Sequence, residues 1–592
     1  MKKLLTGNEA IAQGAWEAGV SYASAYPGTP STEILENIAE FKADIIAEWA
    51  PNEKVALETA IGASVIGARS LAAMKMVGVN VAADPLFSFA YSGVNGGMVL
   101  VSGDDPGCHS SQNEQDNRNY AKFAKIAMVE PSDSQEAKDM VKSALEISEQ
   151  FDTPVLMRIT TRICHSKSIV EIGERENVAK KAYERDVQKY DLVPATARKR
   201  RVAVEERMNK LKAFTETTEL NRVEWNDKKI GIVTSGIAYQ YAQEVFGATA
   251  SYLKLGFTYP LPIEKIRAFA AQVGTLYVVE ELEPYMEEQI KAAGIACIGK
   301  EKIPAIGELT PDIVAIALKG EHIPCAEPDM ALVVGRPPLL CAGCPHRGFF
   351  YELSKVKNLM ITGDIGCYSL GGNAPLNAKD TCICMGASIS MGHGVQKILN
   401  RIGSETRTVA VIGDSTFFHS GMTSLLHVAY NRSNTVMCIM DNRITGMTGH
   451  QDNPGTGFTL QGMPTKEADI PAIVRALGID ALRVVNPLDL KEVREALAWA
   501  LSLDEPAVII TRWPCVLKKH SEADKKEFGD YMGTCRVDEA KCIGCKMCVK
   551  TGCPALRFDK AAKKVSIDAG QCVGCKICLQ VCPVKAISKV GE

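Results

Sequence analysis

VAVIGDSTFFHSGMTSLLHVAYNRSNTVMCIMDN, residues 409–442, joins two short apolar runs through a stretch long enough for a helix. The first run ends at Gly413-Asp414-Ser415. The second, VMCIMD, ends just before Asn442, with 26 residues (416–441) between Ser415 and Asn442. Apolar runs without alternation read as strands covered on both faces, hence as neighbours in a parallel sheet. Two adjacent parallel strands would deliver Asp414 and Asn442 to one end of that sheet, where open α/β sheets bind ligands.

The same grammar extends outward. Residues 1–165 alternate helical stretches, such as GNEAIAQGAWEAG and SQEAKDMVKSALEISEQF, with apolar runs. VSYASAYP, VGVNVAA, GMVLVSG, IAMVEP and TPVLMRIT read as strands there, and NEKVALETAIGASVIGARS as one helix. Residues 166–226 are charged, lack strand signals and read as a helical connector. Their run Arg198-Lys199-Arg200-Arg201 reads as a solvated face. Residues 227–324 resume the alternation with KKIGIVTSG and GTLYVVEE. A Pro-rich crossing (325–335) opens residues 325–534, whose strands include TRTVAVIG, TVMCIMD and PAVIITRWP. A small module fills 535–592. The expected fold class is α/β, several doubly wound parallel-sheet domains followed by a small α+β domain.

A chain of 592 residues, 46% hydrophobic, can bury large cores without disulfides. Its net charge of −3 gives no electrostatic case for nucleic acid. No stretch is apolar enough to span a membrane. Glu9 interrupts the apolar start of MKKLLTGNEAIAQG, so it does not read as a signal peptide. Twenty cysteines without export then point to a reducing cytoplasm, where clustered cysteines suggest metal.

Eight of those cysteines fall within 542–582, as C-x2-C-x2-C-x4-C-P and C-x2-C-x2-C-x3-C-P. Zinc sites usually pair two C-x2-C arms, and disulfides belong to small secreted domains. Three cysteines plus a distant fourth fit a cubane iron–sulfur cluster. Cys542, Cys545, Cys548 and Cys582 should hold one [4Fe-4S] cluster. Cys553, Cys572, Cys575 and Cys578 should hold another. The extra residue before Cys553 changes a loop, not the ligand count. Cys382, Cys384 and Cys438 read as small buried hydrophobes.

The GDS…DN pair resembles the thiamine-diphosphate motif, GDG followed by an asparagine at about this spacing. The resemblance implies Mg2+ held by Asp414, Asn442 and the carbonyl of Ile444, an oxygen set such a cation prefers. Gly413 would admit the diphosphate, with Ser415, Thr445 and Gly366 in the same pocket; Ser415 departs from the usual third glycine. Glu53, opening the helix after Asn52, resembles the glutamate that contacts the aminopyrimidine ring, with Glu58 as fallback. Tyr26-Pro27-Gly28-Thr29-Pro30-Ser31 resembles the YPITPS loop of 2-oxoacid:ferredoxin oxidoreductases, placing Thr29 near the substrate carbonyl. Cys341, Cys344, Cys367 and Cys515 correspond to the ligands of a proximal [4Fe-4S] cluster.

AYPGTPSTE, EWAPNEKVALETAIGAS, SGDDPGCHSSQNEQDNR, RPPLLCAGCPHR and GDIGCYSLG extend the likeness along nearly the whole chain. It resembles the alpha subunits of indolepyruvate ferredoxin oxidoreductases. That resemblance implies a pyrimidine-binding thiamine domain (1–165), a transketolase C-terminal-like domain (227–324), a diphosphate- and Mg-binding domain (325–534) and a double-cluster ferredoxin domain (535–592). It implies an aryl 2-oxo acid and CoA as substrates and ferredoxin as electron acceptor. A beta subunit in an α2β2 assembly would supply a gamma-type domain. Arg158, Arg162 and His109 are the candidate partners of the substrate carboxylate. Alternatives are a branched-chain or phenylpyruvate enzyme of the same superfamily, or an electron-transfer subunit with vestigial thiamine domains.

Overall fold

The structure, a computed structural model, describes residues 1–179, 181–324, 326, 328–529 and 533–591. Two compact units divide it, 1–328 and 329–592. The expected boundary at residue 325 and the final residue, 592, lie outside the described residues.

In the first unit, seven strands run in the order Phe257–Tyr259, Ala127–Val129, Val155–Thr160, Met98–Asp104, Ser70–Lys75, Tyr22–Ala25, Ile46–Trp49. All pair in parallel except Phe257–Tyr259. That strand comes from the segment 227–324, whose remaining strands Thr275–Val279, Ile230–Ser235 and Ser251–Leu255 form a second sheet edged by Asn221–Glu224. One apolar cluster runs from Leu57 and Met74 to Leu253 and Met286, so both sheets share a core. The central strands are buried along their length, Met98–Asp104 at every residue, which explains their lack of alternation.

Three expectations give way here. VGVNVAA is not a strand. Met76–Val81 and Ala83–Ser92 are helices, and the strand is the preceding Ser70–Lys75, which begins where the expected helix was to end; that helix in fact closes at Val65. Val77, Val79 and Val81 alternate as a strand would, but the run is too short to separate strand from helix, and Gly67 with φ +96° breaks the preceding helix earlier. The connector contains two edge strands. Lys167–Glu171 pairs antiparallel with Lys2–Thr6, and Asn221–Glu224 with Ser251–Leu255. Edge strands carry charge outward, which hides them from a hydrophobic reading. Finally, the basic run is only partly solvated. Arg198 and Lys199 are exposed, but Arg200 bonds the carbonyls of Tyr91 and Ser92 and the Asp152 carboxylate.

The second unit is built on six parallel strands in the order Thr381–Cys382, Leu359–Gly363, Arg407–Gly413, Val436–Asp441, Ala507–Arg512, Leu482–Val485. The direction of winding reverses between Leu359–Gly363 and Arg407–Gly413, which makes the crevice above them the sheet's switch point. Residues 533–591 form two small antiparallel ribbons, Cys535–Val537 with Ile587–Lys589 and Leu556–Asp559 with Lys564–Ile567.

Candidate functional site

Asp414 follows the strand Arg407–Gly413 directly, and Asn442 follows Val436–Asp441. The register pairs Gly413 with Met440, so both side chains emerge at the same edge. The outer atom of the Asn442 amide stands 3.1 Å from Asp414 Oδ1 and 2.9 Å from the Ile444 carbonyl oxygen. With the amide oxygen facing inward, three oxygens converge with no proton between them, the donor set of a hard cation. With the nitrogen inward, the amide would donate to both. Burial first, and then the nearby Asp441, push the Asp414 carboxyl up to about 7. A cation would supply the absent counter-charge, so the residues fit Mg2+. Asn453, which the sequence reading missed, is buried and donates to Asp414 Oδ2 at 3.3 Å. Thr445 Oγ1 donates to Ser415 Oγ at 2.9 Å, so the serine in place of the third glycine ties the two loops together.

Gly366 and Gly413 flank the switch point, and one ring explains both. A Cβ on Gly366 would lie 2.3 Å from the Tyr368 ring, and one on Gly413 2.4 Å from it. Gly413 therefore admits Tyr368, a constraint distinct from the diphosphate approach expected of it. The Tyr368 hydroxyl donates to the Ile365 carbonyl at 2.6 Å.

Cys367 and Cys515 sit beside the oxygen triad. The Cys515 N–H donates to the Asn442 carbonyl at 2.9 Å, and a methyl on Gly446 would meet both the Cys367 sulfur and the Asn442 amide at 3.5 Å. Burial pushes the thiols of Cys344 and Cys367 up to about 12. Each also feels the other cysteines of the set: Cys344 feels Cys367 and Cys515, and Cys367 feels Cys515 and Cys341. Four thiols in one neighbourhood suit a cluster, which takes them as thiolates. Cys438 is fully buried as expected. Cys384 is exposed and Cys382 half-buried, against expectation, because Cys382 ends the edge strand Thr381–Cys382 and Cys384 lies just beyond it.

The tail cysteines sort by cavity. One cavity is walled by Cys542, Cys545, Cys548 and Cys582, another by Cys553, Cys572, Cys575 and Cys578. Each set mixes three cysteines of one run with one of the other, as a cluster-bearing fold would require. Among the described residues no three His, Cys, Asp or Glu side chains gather at a point fit for a single ion. A ninth cysteine, Cys535, also lines the second cavity, and its N–H donates to Cys572 Sγ at 3.3 Å. It stands seven residues before Cys542, outside the x2 spacing, so only the ribbon Cys535–Val537 reveals it.

In the first unit, the seven-stranded sheet has its own switch point, between Tyr22–Ala25 and Ser70–Lys75. The Tyr26–Ser31 loop leaves the first of these strands, and Lys75 ends the second. Gly28 is so close that its Cβ would lie 3.0 Å from that of Lys75. Glu53 is buried at the first turn of Glu53–Val65, whose N-cap Asn52 accepts from the Val55 N–H at 2.9 Å. A Cβ on Gly78 would lie 2.8 Å from Glu53 Oε1, so that carboxyl packs against bare backbone. Glu58 is exposed and paired with Lys54. Thr29 is half-buried, its carbonyl 3.5 Å from Ser110 Oγ.

The three expected substrate cations are already engaged. Arg158 is buried between Asp104 and Glu130, at 2.9 and 3.1 Å. Arg162 and His109 both reach Glu308, at 2.6 and 3.2 Å. Lys75 is different. It is 9% exposed and donates to the Ser110 carbonyl at 2.6 Å, with no carboxylate in ion-pair reach among the described residues. Burial holds its ammonium below the usual lysine range.

Residues 13–232 match the family described as "Pyruvate flavodoxin/ferredoxin oxidoreductase, thiamine diP-bdg". Residues 364–511 match "Thiamine pyrophosphate enzyme, C-terminal TPP binding domain", and 541–586 match "4Fe-4S dicluster domain". The indolepyruvate oxidoreductase subunit IorA of Archaeoglobus fulgidus is 42% identical over 99% of this chain and 97% of its own. The chain belongs to the IorA family. The Pyrococcus horikoshii member is 40% identical over 100% of this chain and 97% of its own. The 2-oxoglutarate synthase subunit KorA of Archaeoglobus fulgidus, at 22% identity, aligns with only 54% of this chain. IorA relatives thus span both units and the cysteine tail, and the fold is that of a thiamine-diphosphate enzyme fused to a dicluster module.

Proposed function

We propose that this chain is the thiamine-diphosphate-bearing subunit of a cytoplasmic indolepyruvate:ferredoxin oxidoreductase. The reaction converts an aryl 2-oxo acid, CoA and two oxidised ferredoxins into the aryl-acyl-CoA, CO2, a proton and two reduced ferredoxins. The observation that carries the reading is the oxygen triad of Asp414, Asn442 and Ile444 at the switch point, with Cys367 and Cys515 at its edge. Bound thiamine diphosphate would supply the electron sink that decarboxylation of a 2-oxo acid needs. Asp414, Asn442 and the Ile444 carbonyl would hold its Mg2+. Glu53 would hold a proton at a ring nitrogen, its carboxyl kept from water by burial against Gly78.

Lys75 would receive the substrate carboxylate beside Thr29, because a buried ammonium with no carboxylate in ion-pair reach among the described residues, and Asp105 acting only from beyond that reach, welcomes an anion at a switch-point crevice. Cys341, Cys344, Cys367 and Cys515 would hold the proximal cluster, and the two cavities of the tail the other two. Electrons then have a protein route outward to ferredoxin. A beta subunit carrying a gamma-type domain would complete an α2β2 assembly and the CoA site.

The test is anaerobic viologen reduction by the natively isolated complex, comparing indole-3-pyruvate, phenylpyruvate, 2-oxoisovalerate and pyruvate at equal concentration. CoA-dependent preference for the aryl acids is expected. Preference for pyruvate or the branched acid would keep the chemistry and overturn the substrate. No reduction with any acid, despite intact clusters, would favour a pure electron-transfer subunit.

A further inference from the structure

Arg347 is 1% exposed, among the most deeply buried large side chains of the molecule. It follows Cys344-Pro345-His346 in the first turn of the helix His346–Leu353. Its Nη2 donates to the carbonyls of Leu340 and Cys341, at 2.5 and 2.9 Å, and its Nη1 to the Thr551 carbonyl at 2.9 Å. Its Nε has no partner, and no carboxylate stands in ion-pair reach, among the described residues. Its three hydrogen bonds lead to the two cysteine loops. Leu340 and Cys341 belong to the proximal loop, and Thr551 stands two residues before Cys553. Arg347 itself lines the cavity of Cys553, Cys572, Cys575 and Cys578.

A buried guanidinium facing only carbonyls is costly, since dipoles replace neither water nor a counter-ion. The charge becomes tolerable when anions flank it, and a thiolate-ligated cluster is an anion. The two loops also touch. A Cβ on Gly343 would lie 2.2 Å from Val573 Cγ2, and these residues sit inside the Cys341–Cys344 and Cys572–Cys575 pairs. The four-residue spacer before Cys553 contains the turn Val549–Thr551, whose last carbonyl meets Arg347.

We infer that Arg347 is the positioning residue for electron passage between the proximal site and the second tail site, spacing the two cysteine loops and raising the reduction potential at both. This rests on the cluster reading given above. A fixed positive charge favours the reduced, more negative state on either side, whereas the set of Cys542, Cys545, Cys548 and Cys582 lies in a separate cavity that Arg347 does not line.

The experiment is an anaerobic redox titration followed by electron paramagnetic resonance, on the complex carrying wild-type, Arg347→Gln or Arg347→Lys, with iron counted in each. Arg347→Gln should lower the potentials of the proximal and second tail clusters by at least a tenfold change in reduced-to-oxidised ratio, about 59 mV for a one-electron couple. The third cluster should not move, and Arg347→Lys should recover more than half of the shift. Unchanged potentials in Arg347→Gln at full iron would overturn the inference. So would an Arg347→Lys protein that keeps its iron yet shifts as far as Arg347→Gln; if the glutamine variant loses iron, Arg347→Lys is read against wild type alone, and a shift of about 59 mV or more at full iron overturns the inference. A wild-type complex lacking proximal iron would overturn the inference through the cluster reading itself, and iron counting separates that failure from the others.

Discussion

At the scale of single residues, the site is a set of atoms placed by strand ends. Asp414 cannot be both buried and charged at neutral pH without a partner, and its neighbours Asn442 and Ile444 offer oxygens. Removing a group that merely orients a metal ligand costs about 10–100-fold in affinity. Asn453→Ala should therefore weaken Mg2+–thiamine diphosphate binding by about that factor, and Asp414→Ala by at least as much, read by titrating the cofactor into metal-stripped protein. Equal affinity in Asp414→Ala and wild type would sink the triad. Lys75 makes a second, separable case. A hydrogen bond to a charged group contributes about 1.5–3 kcal/mol, so Lys75→Met should lower kcat/KM for the 2-oxo acid by about 10–100-fold, mostly through KM. Arg162→Met, whose partner is Glu308, should leave KM near wild type. The reverse ranking in steady-state kinetics would return the carboxylate to Arg162.

At the scale of elements, what was legible depended on how each segment is covered. The strands Arg407–Gly413 and Val436–Asp441 are buried on both faces, so their apolar runs announced them, and Asp414 and Asn442 came with them. The helix Ser134–Phe151 was legible end to end because Asp133 caps it and one apolar stripe runs along it. VGVNVAA failed because Val77, Val79 and Val81 alternate as a strand would, over a run too short to arbitrate between strand and helix. Lys75 was invisible for another reason: its importance arises from strand order, which brings a loop near residue 28 against residue 75. The tail cysteines were the most legible, since their spacing is itself the ligand set. The connector was read by charge alone, and that missed how its long helix Pro194–Thr217 docks. Arg207 is buried and donates to the carbonyls of Ala90 and Asp152, at the C-terminal ends of Ala83–Ser92 and Ser134–Phe151, where a cation suits the helix dipole. Burial outweighs nearby Asp152 and lowers its guanidinium to about 10. Arg207→Ala should destabilise the first unit by about 2–3 kcal/mol, the worth of charge-assisted hydrogen bonds, visible as a lower urea midpoint. An exposed neighbour, Lys199→Ala, should change it by less than about 0.5 kcal/mol.

At the scale of the whole molecule, the first unit is sewn together by a buried cluster of unequal charge. Asp104, Asp116, Glu130, Glu280 and Glu281 gather around Arg118 and Arg158, all seven buried, with the half-buried Lys300 beside Glu280. Arg118 bridges segments that sequence reading assigned to different domains, reaching Glu280 at 2.7 Å, whereas Arg158 holds Asp104 and Glu130 within its own. The acids outnumber the cations, and burial favours the protonated form of those left without a direct ion pair. Burial raises Glu281 to about 7 and Asp104 to about 6, against the pull of Arg158 on both. An acid whose folded pKa exceeds its unfolded value of about 4 binds more protons when folded. Its contribution to stability is therefore full below pH 4 and is lost as pH rises toward 7. Glu136 works oppositely. Burial alone would raise it, but Lys254 holds it at about 2, so its contribution is lost only as pH falls below about 4.5. Between pH 5 and 8 the raised acids set the slope, and the first unit should lose stability as pH rises through that window. Glu281→Gln isolates the effect, because its carbonyl oxygen can still accept the Leu309 N–H that reaches Glu281 at 3.1 Å. The variant should match wild type near pH 5 and exceed it near pH 8 in urea midpoint. If the two proteins keep parallel pH profiles across that range, Glu281 is ionised in the folded state and its charge is balanced within the cluster.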